Sequence, residues 1–478
     1  MSAIQAIPTG GGGSSGDASG QVKFIDYDGT IVASKTKAEI NAMTSDSDLP
    51  SNPTHTGLTA QGWNWTLAQI KAQLTAIPDG EIYVGQMYVT TSGDTEIDVE
   101  FVDSARLSPI LTIAVNGTIT VDWGDNTTPD TVTGTSLTSR KAVGPHNYAS
   151  TGSYTIKIGA STGNTYSFYG TSAYTLLRKN TTDNQNRVYS NCIKNVRIGN
   201  GITSIGSSAF QNCYSLASIT IPSGITSIES SAFQNCYPLA SVTIPSNVTT
   251  IKNYAFQNCY ALASVTIPNS VTSIGNSVFQ NCYSLVSVII PSGVTSIGNS
   301  AFYYCSSLAS VTIPSSVTSI ETYAFYNCYA LTSITIPSLV TSIGDYVFYS
   351  CYSLARVTIP SDVTSIGTYA FYNCYALASI TIPSNVTSIK NGAFQNCYSL
   401  ASVTIPSNVT SIGNSVFSNC YGAAKYHIQP ATVPTAGTTI FNNIVSDCII
   451  YVPQGKLNDY QTASNWSTYA SYMQEEPT

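Results

Sequence analysis

Charge is what this 478-residue chain has least of: Asp, Glu, Lys and Arg make up 9% of it, where an average soluble domain carries roughly 25%. Residues 201–421 hold just seven, Glu229, Lys252, Glu321, Asp345, Arg356, Asp362 and Lys390. Any surface formed there must be made of Ser, Thr, Asn, Gln and Tyr. A net charge of −7 gives no basic field to attract a phosphate backbone, so nucleic acid is not an expected partner. Histidine is nearly missing too. His55, His146 and His427 lie in three separate segments with no spacing for a metal site or a triad, and each reads as a surface or turn residue. There is no Cys-x-x-Cys pair to hold a metal, and the Gly-x-Ser-x-Gly spacing occurs only at residues 12–16, inside a Gly/Ser-rich run with no strand ahead of it to form an elbow, so neither catalysis nor a cofactor is expected. No apolar run approaches the roughly 20 residues of a membrane span, and residues 1–20 lack the basic start and apolar core of a secretory signal.

What the chain does have is a repeat. Phe210 and Cys213 return 23 residues later as Phe233 and Cys236, and so on to Phe417 and Cys420, ten Phe-x-x-Cys units on one period. Such spacing marks a solenoid, whose coils bury their apolar faces only against one another. Within a coil, Ile219 and Ile221 sit two apart, the period of a strand with one buried face, while Ala232, Phe233 and Cys236 fall on one side of a helical turn. Pro222, Pro245, Pro268 and six successors to Pro406 follow the strand, ending its pairing and forcing a corner. The expected coil is strand, turn, short helical turn, with the strands stacked into one parallel sheet about 45–50 Å long.

The columns Leu216-x-x-Ile219-x-Ile221-Pro222, then Ile225, Ile228, Ala232-Phe233 and Cys236, resemble the BspA-like leucine-rich repeats of bacterial and protist surface proteins. Over about residues 196–421, that resemblance implies a curved right-handed solenoid that binds extracellular partners. Ten of the twelve cysteines occupy one column beside the Phe, a place for small buried side chains. Reduced, structural thiols are expected there, with bridges between adjacent coils as the lesser alternative. Cys192 and Cys448 lie near the two ends of the stack. Ile193, Val196, Ile198, Ile202 and Ile205 look like an incomplete first coil. Residues 426–478 read as the closing cap, with a strand at Ile449 to Val452 and aromatic cover from Tyr460, Trp466 and Tyr469. They also resemble the usual closing segment of this repeat family.

Ahead of the repeats the organisation changes twice, and the length itself implies several domains. Residues 1–20 read as a flexible Gly/Ser-rich tail. Residues 21–80 read as a small α/β attachment module, with a strand at 22–25 and a helix in which Trp63, Leu67, Ile70 and Leu74 share one face. The run Gly62-Trp63-Asn64-Trp65-Thr66-Leu67 resembles segments in proteins of gut bacteria and their phages. Residues 81–175 alternate and turn often, with candidate strands at 82–89, 95–101, 110–115, 119–123 and 154–158, an antiparallel sandwich. Val121-Asp122-Trp123-Gly124-Asp125, His146-Asn147-Tyr148 and Gly152-Ser153-Tyr154-Thr155-Ile156 resemble the polycystic-kidney-disease-type (PKD) domain, an immunoglobulin-like fold. In that family the Trp and Tyr are core and turn residues; Asp122 and Asp125 read as turn residues in preference to calcium ligands. The expected class is mainly β with short helices: small α/β module, PKD-like sandwich, leucine-rich-repeat solenoid over 190–425, and cap.

One segment points to an enzyme. Phe24-Ile25-Asp26-Tyr27-Asp28-Gly29-Thr30 resembles the nucleophile motif of haloacid-dehalogenase-type phosphatases, in which the first Asp would attack phosphorus and the second act as general acid. That family also needs a doubly wound sheet, a later Lys and an acidic pair for magnesium. Here a sandwich and repeats follow, and Asp-x-Asp-Gly is also ordinary turn chemistry.

The exposed strand positions form two uniform columns, one of Ser (218, 241, 264, 287, 310, 333, 379, 402) and one of Thr (220, 243, 266, 312, 335, 358, 381, 404), broken by Arg356 and Ile289. Uniformity is poor material for a specific epitope. The columns flanking the Phe turn aromatic between 303 and 372: Tyr303, Tyr326, Tyr349 and Tyr372 on one side, Tyr323, Tyr346 and Tyr369 on the other. These seven are the candidate binding residues, because tyrosine offers contact area at low entropic cost; the alternative is that the rings only pack on each other. The expected function is a non-enzymatic binding or adhesion protein displayed at a cell surface, recognising an extracellular protein or glycan. The missing leader raises a phage structural or receptor-binding protein, on a virion, as the alternative.

Overall fold

The computed structural model describes residues 22–28, 30–76, 82–168, 176–178, 189 and 191–477; the Gly/Ser-rich segment 1–20 lies outside them. Strand β1 (Val22–Ile25) turns back antiparallel as β2 (Ile31–Lys35). Helix α1 (Lys37–Ala42) opens on a reciprocal cap: Thr36 Oγ1 accepts from Glu39 N at 3.2 Å, and the Glu39 carboxylate accepts from Thr36 N at 2.7 Å. Next come β3 (Leu58–Trp63) and α2 (Leu67–Ala76). Leu67, Ile70 and Leu74 are buried together on α2 as expected. Trp63 is not on that helix: it ends β3, and its indole N–H donates to Pro50 O at 2.9 Å.

The strand β4 (Ile82–Thr90), expected in the sandwich, instead completes this first sheet, parallel to β1 and antiparallel to β3. Its side chains are buried on both faces almost throughout, as befits a central strand covered on each side. The sandwich strands follow: β5 (Thr95–Phe101), β6 (Ile110–Asp122), β7 (Asp130–Val143), β8 (Gly152–Ala160) and β9 (Thr165–Phe168), antiparallel around Ile97, Val99, Ile113, Val121, Trp123 and Ile156. One long strand, β6, replaces two expected pieces. Nearly all side chains of β7 face solvent, so no apolar alternation marks it in the sequence.

The incomplete first coil is β10 (Ile193–Arg197) and β11 (Ile202–Ile205). β10 pairs antiparallel with β5 and β11 parallel with β9, and each passes its pairing on to the first full repeat, at Ser218–Thr220 and at Ile228. The sandwich is therefore the lid on one end of the stack, and a single apolar core runs from Ile97 to Met473.

In the repeats, the rings from Phe210 to Phe417 are buried and stack face to face with centroids 5.3–5.7 Å apart. All twelve cysteines are buried and none forms a disulfide. From Cys236 to Cys420 each thiol donates to the Phe carbonyl of the coil before, as Cys236 Sγ does to Phe210 O at 3.3 Å, so a small apolar side chain with one weak donor suits the site. Two rows of parallel strands form, not one: the Ser-x-Thr row (Ser241–Thr243 on Ser264–Thr266) and a second row after the Pro corner (Ser227–Ile228, Thr250–Ile251, Ser273–Ile274). The Phe–Cys segment runs as successive turns. Residues such as Ser231 (φ 57°) and Asn235 (φ 65°) are left-handed, and Phe233 N bonds Ala255 O of the next coil at 2.8 Å instead of its own turn.

The far end carries one more coil than the ten counted from the sequence. Lys425–Ile428 pairs in register with Ser402–Ile405, and Phe441 stacks on Phe417 at 5.8 Å. A 24-residue step between those rings hides it from a search at 23. Ile449–Val452 and Met473–Glu475 extend the row. Tyr460, on helix α3 (Leu457–Thr462), and Trp466 close the core; Tyr460 Oη donates to Pro430 O at 2.6 Å and Trp466 Nε1 to Pro434 O at 2.9 Å.

The first sheet lies across the Ser-x-Thr face of the early coils. Buried Asn64 donates to Thr266 Oγ1 at 2.6 Å and to Ile244 O at 3.4 Å, while its own Oδ1 accepts from Gly85 N at 2.9 Å. Ser241 Oγ donates to Tyr27 O at 3.1 Å, and Gln61 Oε1 accepts from Ser223 N at 3.1 Å. Gly85 must be glycine, because a Cβ there would sit 2.3 Å from Thr243 Oγ1. Ile289, the apolar break in the Thr column, packs against the module's core. Thr220, Ser241, Thr243 and Thr266 are consequently buried, whereas Ser333, Thr335, Arg356, Thr358, Ser379, Thr381, Ser402 and Thr404 remain exposed.

Candidate binding surface

The tyrosine block is built on the turns around the Phe column. In the early coils the positions equivalent to Tyr303, Tyr326, Tyr349 and Tyr372 are Gln211, Gln234, Gln257 and Gln280, whose amides bond one to the next along the stack. Gln returns at 395. The four rings stack instead, with centroids 4.8, 4.6 and 4.6 Å apart and planes within 13° of parallel.

The second column holds Ser208, Ser231, Ser277 and Ser300 in the early coils, with a lone left-handed Tyr254 (φ 61°) among them, then the run Tyr323, Tyr346 and Tyr369, with ring spacings of 4.9 and 5.4 Å. These three tyrosines are left-handed, at φ 61°, 58° and 51°. The next coil has Gly392 (φ 59°), where a Cβ would lie 2.2 Å from the Tyr369 ring. A bulky side chain in that region costs roughly 1–2 kcal/mol per residue. Edge contacts tie the columns together, Tyr323 to Tyr326 at 5.6 Å and Tyr369 to Tyr372 at 5.3 Å. All seven rings are half-buried. Burial, followed by neighbouring phenols, pushes the hydroxyls of Tyr303, Tyr326, Tyr346 and Tyr349 up, so they remain protonated donors.

A third tyrosine column escaped the sequence reading, although it follows every Cys but one from Cys213 to Cys420. Tyr329, Tyr352, Tyr375 and Tyr398 stack at 4.6–4.8 Å, and Tyr352 and Tyr398 are about two-fifths exposed. Its gap is Ser306. There Tyr304, also left-handed at φ 58°, leans to 6.2 Å from Tyr329 and 5.0 Å from Tyr303, joining the third column to the block.

The phosphatase-like segment is the β1–β2 hairpin turn. Asp26 is buried, accepts from Tyr27 N at 2.8 Å and bonds His55 Nε2 at 2.6 Å, while Asp28 accepts from Thr30 N at 2.9 Å. Among the described residues, no cluster of three or more His, Cys, Asp or Glu could hold a metal. Asp122 and Asp125 accept from Gly124 N and Thr127 N, a turn role, and His146 stacks on Trp123 at 4.8 Å. His146 is thus packed, not superficial. No helix among the described residues is long and apolar enough to cross a membrane.

Comparison with known proteins agrees with the solenoid. The family model described as BspA type leucine rich repeat region matches residues 161–286, 272–401 and 364–461. No curated protein matches. Among solved structures, the chain is similar to a leucine-rich repeat protein from Bacteroides ovatus, at 31% identity over 49% of this chain and 60% of that one, TM-score 0.45. It is also similar to the T. pallidum leucine rich repeat protein (32% identity, 38% of this chain and 78% of that one, TM-score 0.32). A third is a leucine rich cell surface protein from Faecalibacterium prausnitzii (28% identity, 57% and 92%, TM-score 0.28). The chain thus spans less than two thirds of the Bacteroides ovatus protein. The family matches overlap to cover more than half of the sequence, and the coil period, buried Phe stack and Cys column lie within them: the chain belongs to the BspA-type leucine-rich repeat family.

Proposed function

We propose that this is a non-enzymatic binding protein displayed at a cell surface, and that the tyrosine block from Tyr303 to Tyr372, with Tyr304, is where it grips an extracellular partner. One observation carries the reading. The same turn positions are filled elsewhere by a self-satisfied Gln ladder and, Tyr254 apart, by Ser or Gly, so the stack does not require tyrosine, and only in this block do consecutive coils carry it at left-handed positions.

The geometry also favours a protein over a glycan. Rings stacked at 4.6–4.8 Å cover each other's faces and present edges and hydroxyls. Stacking on a sugar needs a free ring face, whereas a mixed surface of ring edges and donors suits a protein. In this reading the small module, completed by β4, and the PKD-like sandwich that starts at β5 form the base, and the solenoid (190–425) with its cap (426–478) forms the arm.

The test replaces Tyr303, Tyr326, Tyr349 and Tyr372 by Gln, the residue their own column uses. Wild-type and variant chains are probed against panels of extracellular proteins and of glycans. The variant is expected to keep its thermal transition and lose the protein binding seen for the wild type. Retained binding, loss of folding, or wild-type binding confined to glycans would refute the proposal.

A further inference from the structure

The strand face contains its own guide to where ligands sit. Its Thr column breaks at Ile289, and there the N-terminal module is seated. At the other end the Thr column breaks again: Thr404 is followed by His427 and Tyr451, in register. The two rings stack at 5.1 Å and 22°. Beside them is a cavity of about 440 Å³ lined by Thr404, His427, Gln429, Pro453 and Glu476, within the size range of small-ligand sites. No described segment of the chain fills it.

His427 is held by a hydrogen bond as well as by packing. Its Nδ1 bonds the Glu476 carboxylate at 2.9 and 3.1 Å. A carboxylate only accepts, so Nδ1 carries a proton, and in the neutral imidazole Nε2 is left as an acceptor for a hydroxyl. Thr404 and Gln429 can each donate and accept, and Pro453 supplies an apolar wall. An anion would meet the Glu476 charge. A cation would find one carboxylate already engaged by His427. What remains is a neutral ligand rich in hydroxyls with a C–H face.

We propose that this end of the strand face is a second binding site, separate from the tyrosine block, that takes a neutral saccharide unit, with His427 Nε2 and Glu476 receiving its hydroxyls.

The test uses the full chain with histidine isotopically labelled, titrated with glucose, galactose and N-acetylglucosamine and with their methyl glycosides. At least one sugar is expected to shift the His427 ring resonances in a saturable way while His55 and His146 stay unmoved. Equal binding of its methyl glycoside would identify a unit carried on a glycan, and preference for the reducing sugar would identify the free sugar. His427→Ala and Glu476→Gln should each weaken binding about tenfold or more, and the fourfold Tyr→Gln variant should bind as wild type. No saturable shift by any of the six probes at about 50 mM, far above the millimolar range of weak sites, would overturn the proposal. So would binding that survives in Glu476→Gln, a change at a half-exposed residue that leaves the core untouched.

Discussion

Replacing Ile289 by Thr makes the repeat more regular, and it should nevertheless loosen the molecule. Ile289 is the one break in the Thr column between Thr220 and Thr358, so if the strand face were only a repeat lattice the change would be neutral or stabilising. In the fold Ile289 packs on the core of the N-terminal module and borders a small cavity with Trp65 and Tyr83. The substitution removes two carbon atoms, at about 0.8 kcal/mol for each CH₂ fully buried. It also places a hydroxyl beside apolar rings, a further 1–3 kcal/mol or so if unpaired. Because Ile289 is half-buried, the sum comes down to about 1–2 kcal/mol, or a factor of roughly 5–30 in the open population of the docked module. Hydrogen exchange of peptides from β4 and α2 would report this directly, with faster exchange by that factor. Thr358→Ile, on the exposed part of the column, is the control and should leave those peptides unchanged. Unaltered exchange in Ile289→Thr, or a rise in stability, would refute the docking argument.

Other consequences follow from the core and its ion pairs. Phe325→Ala, in mid-stack between rings at 5.4 and 5.7 Å, should cost about 3–5 kcal/mol and lower the urea m-value as the coils on either side uncouple; a loss below about 1 kcal/mol would argue against a continuous ring column. Burial pushes the thiols of Cys192 and Cys448 up to about 11 and that of Cys420 to about 12, so iodoacetamide at pH 8 should leave all twelve cysteines of the folded chain nearly unmodified and label all twelve after denaturation. Burial raises the Asp98 carboxyl, yet its two bonds to Arg197, at 2.7 and 2.8 Å, with Thr155 and Asn195, hold it below its ordinary value. Its contribution is therefore full above the unfolded carboxylate pKa of about 3.9 and is lost as pH falls through the lower folded value. In Arg197→Met, acid unfolding of the junction between sandwich and solenoid should begin at higher pH.

The period made the solenoid legible because its physical cause is local: each Phe and Cys must meet its counterpart one coil away. The seven tyrosines could be located by the same counting, since they replace Gln and Ser in fixed columns. What sequence could not supply is contact between segments far apart in the chain. Ile289 was visible as an irregularity, but its meaning depends on Trp65 and Tyr83, some 200 residues earlier. β4 alternates too little to declare which sheet it joins, and β10 and β11 look like a damaged coil until β5 and β9 are set beside them. The left-handed backbone under Tyr304, Tyr323, Tyr346 and Tyr369 carries no sequence signal, because Gly, Asn or Ser would ordinarily mark it. Tyr329, Tyr352, Tyr375 and Tyr398 are hidden for the opposite reason: a column that hardly varies from coil to coil carries no contrast in the sequence.

The central claim is that irregularities in this repeat mark positions where something docks, and that the early strand face is occupied by the chain's own N-terminal module. Carbene footprinting of the intact protein tests it with an internal control, since Ser241, Thr243, Ser264 and Thr266 repeat as Ser333, Thr335, Arg356 and Thr358 in nearly identical sequence. The account predicts labelling of the first set several-fold below that of the second; equal labelling of the two would contradict it.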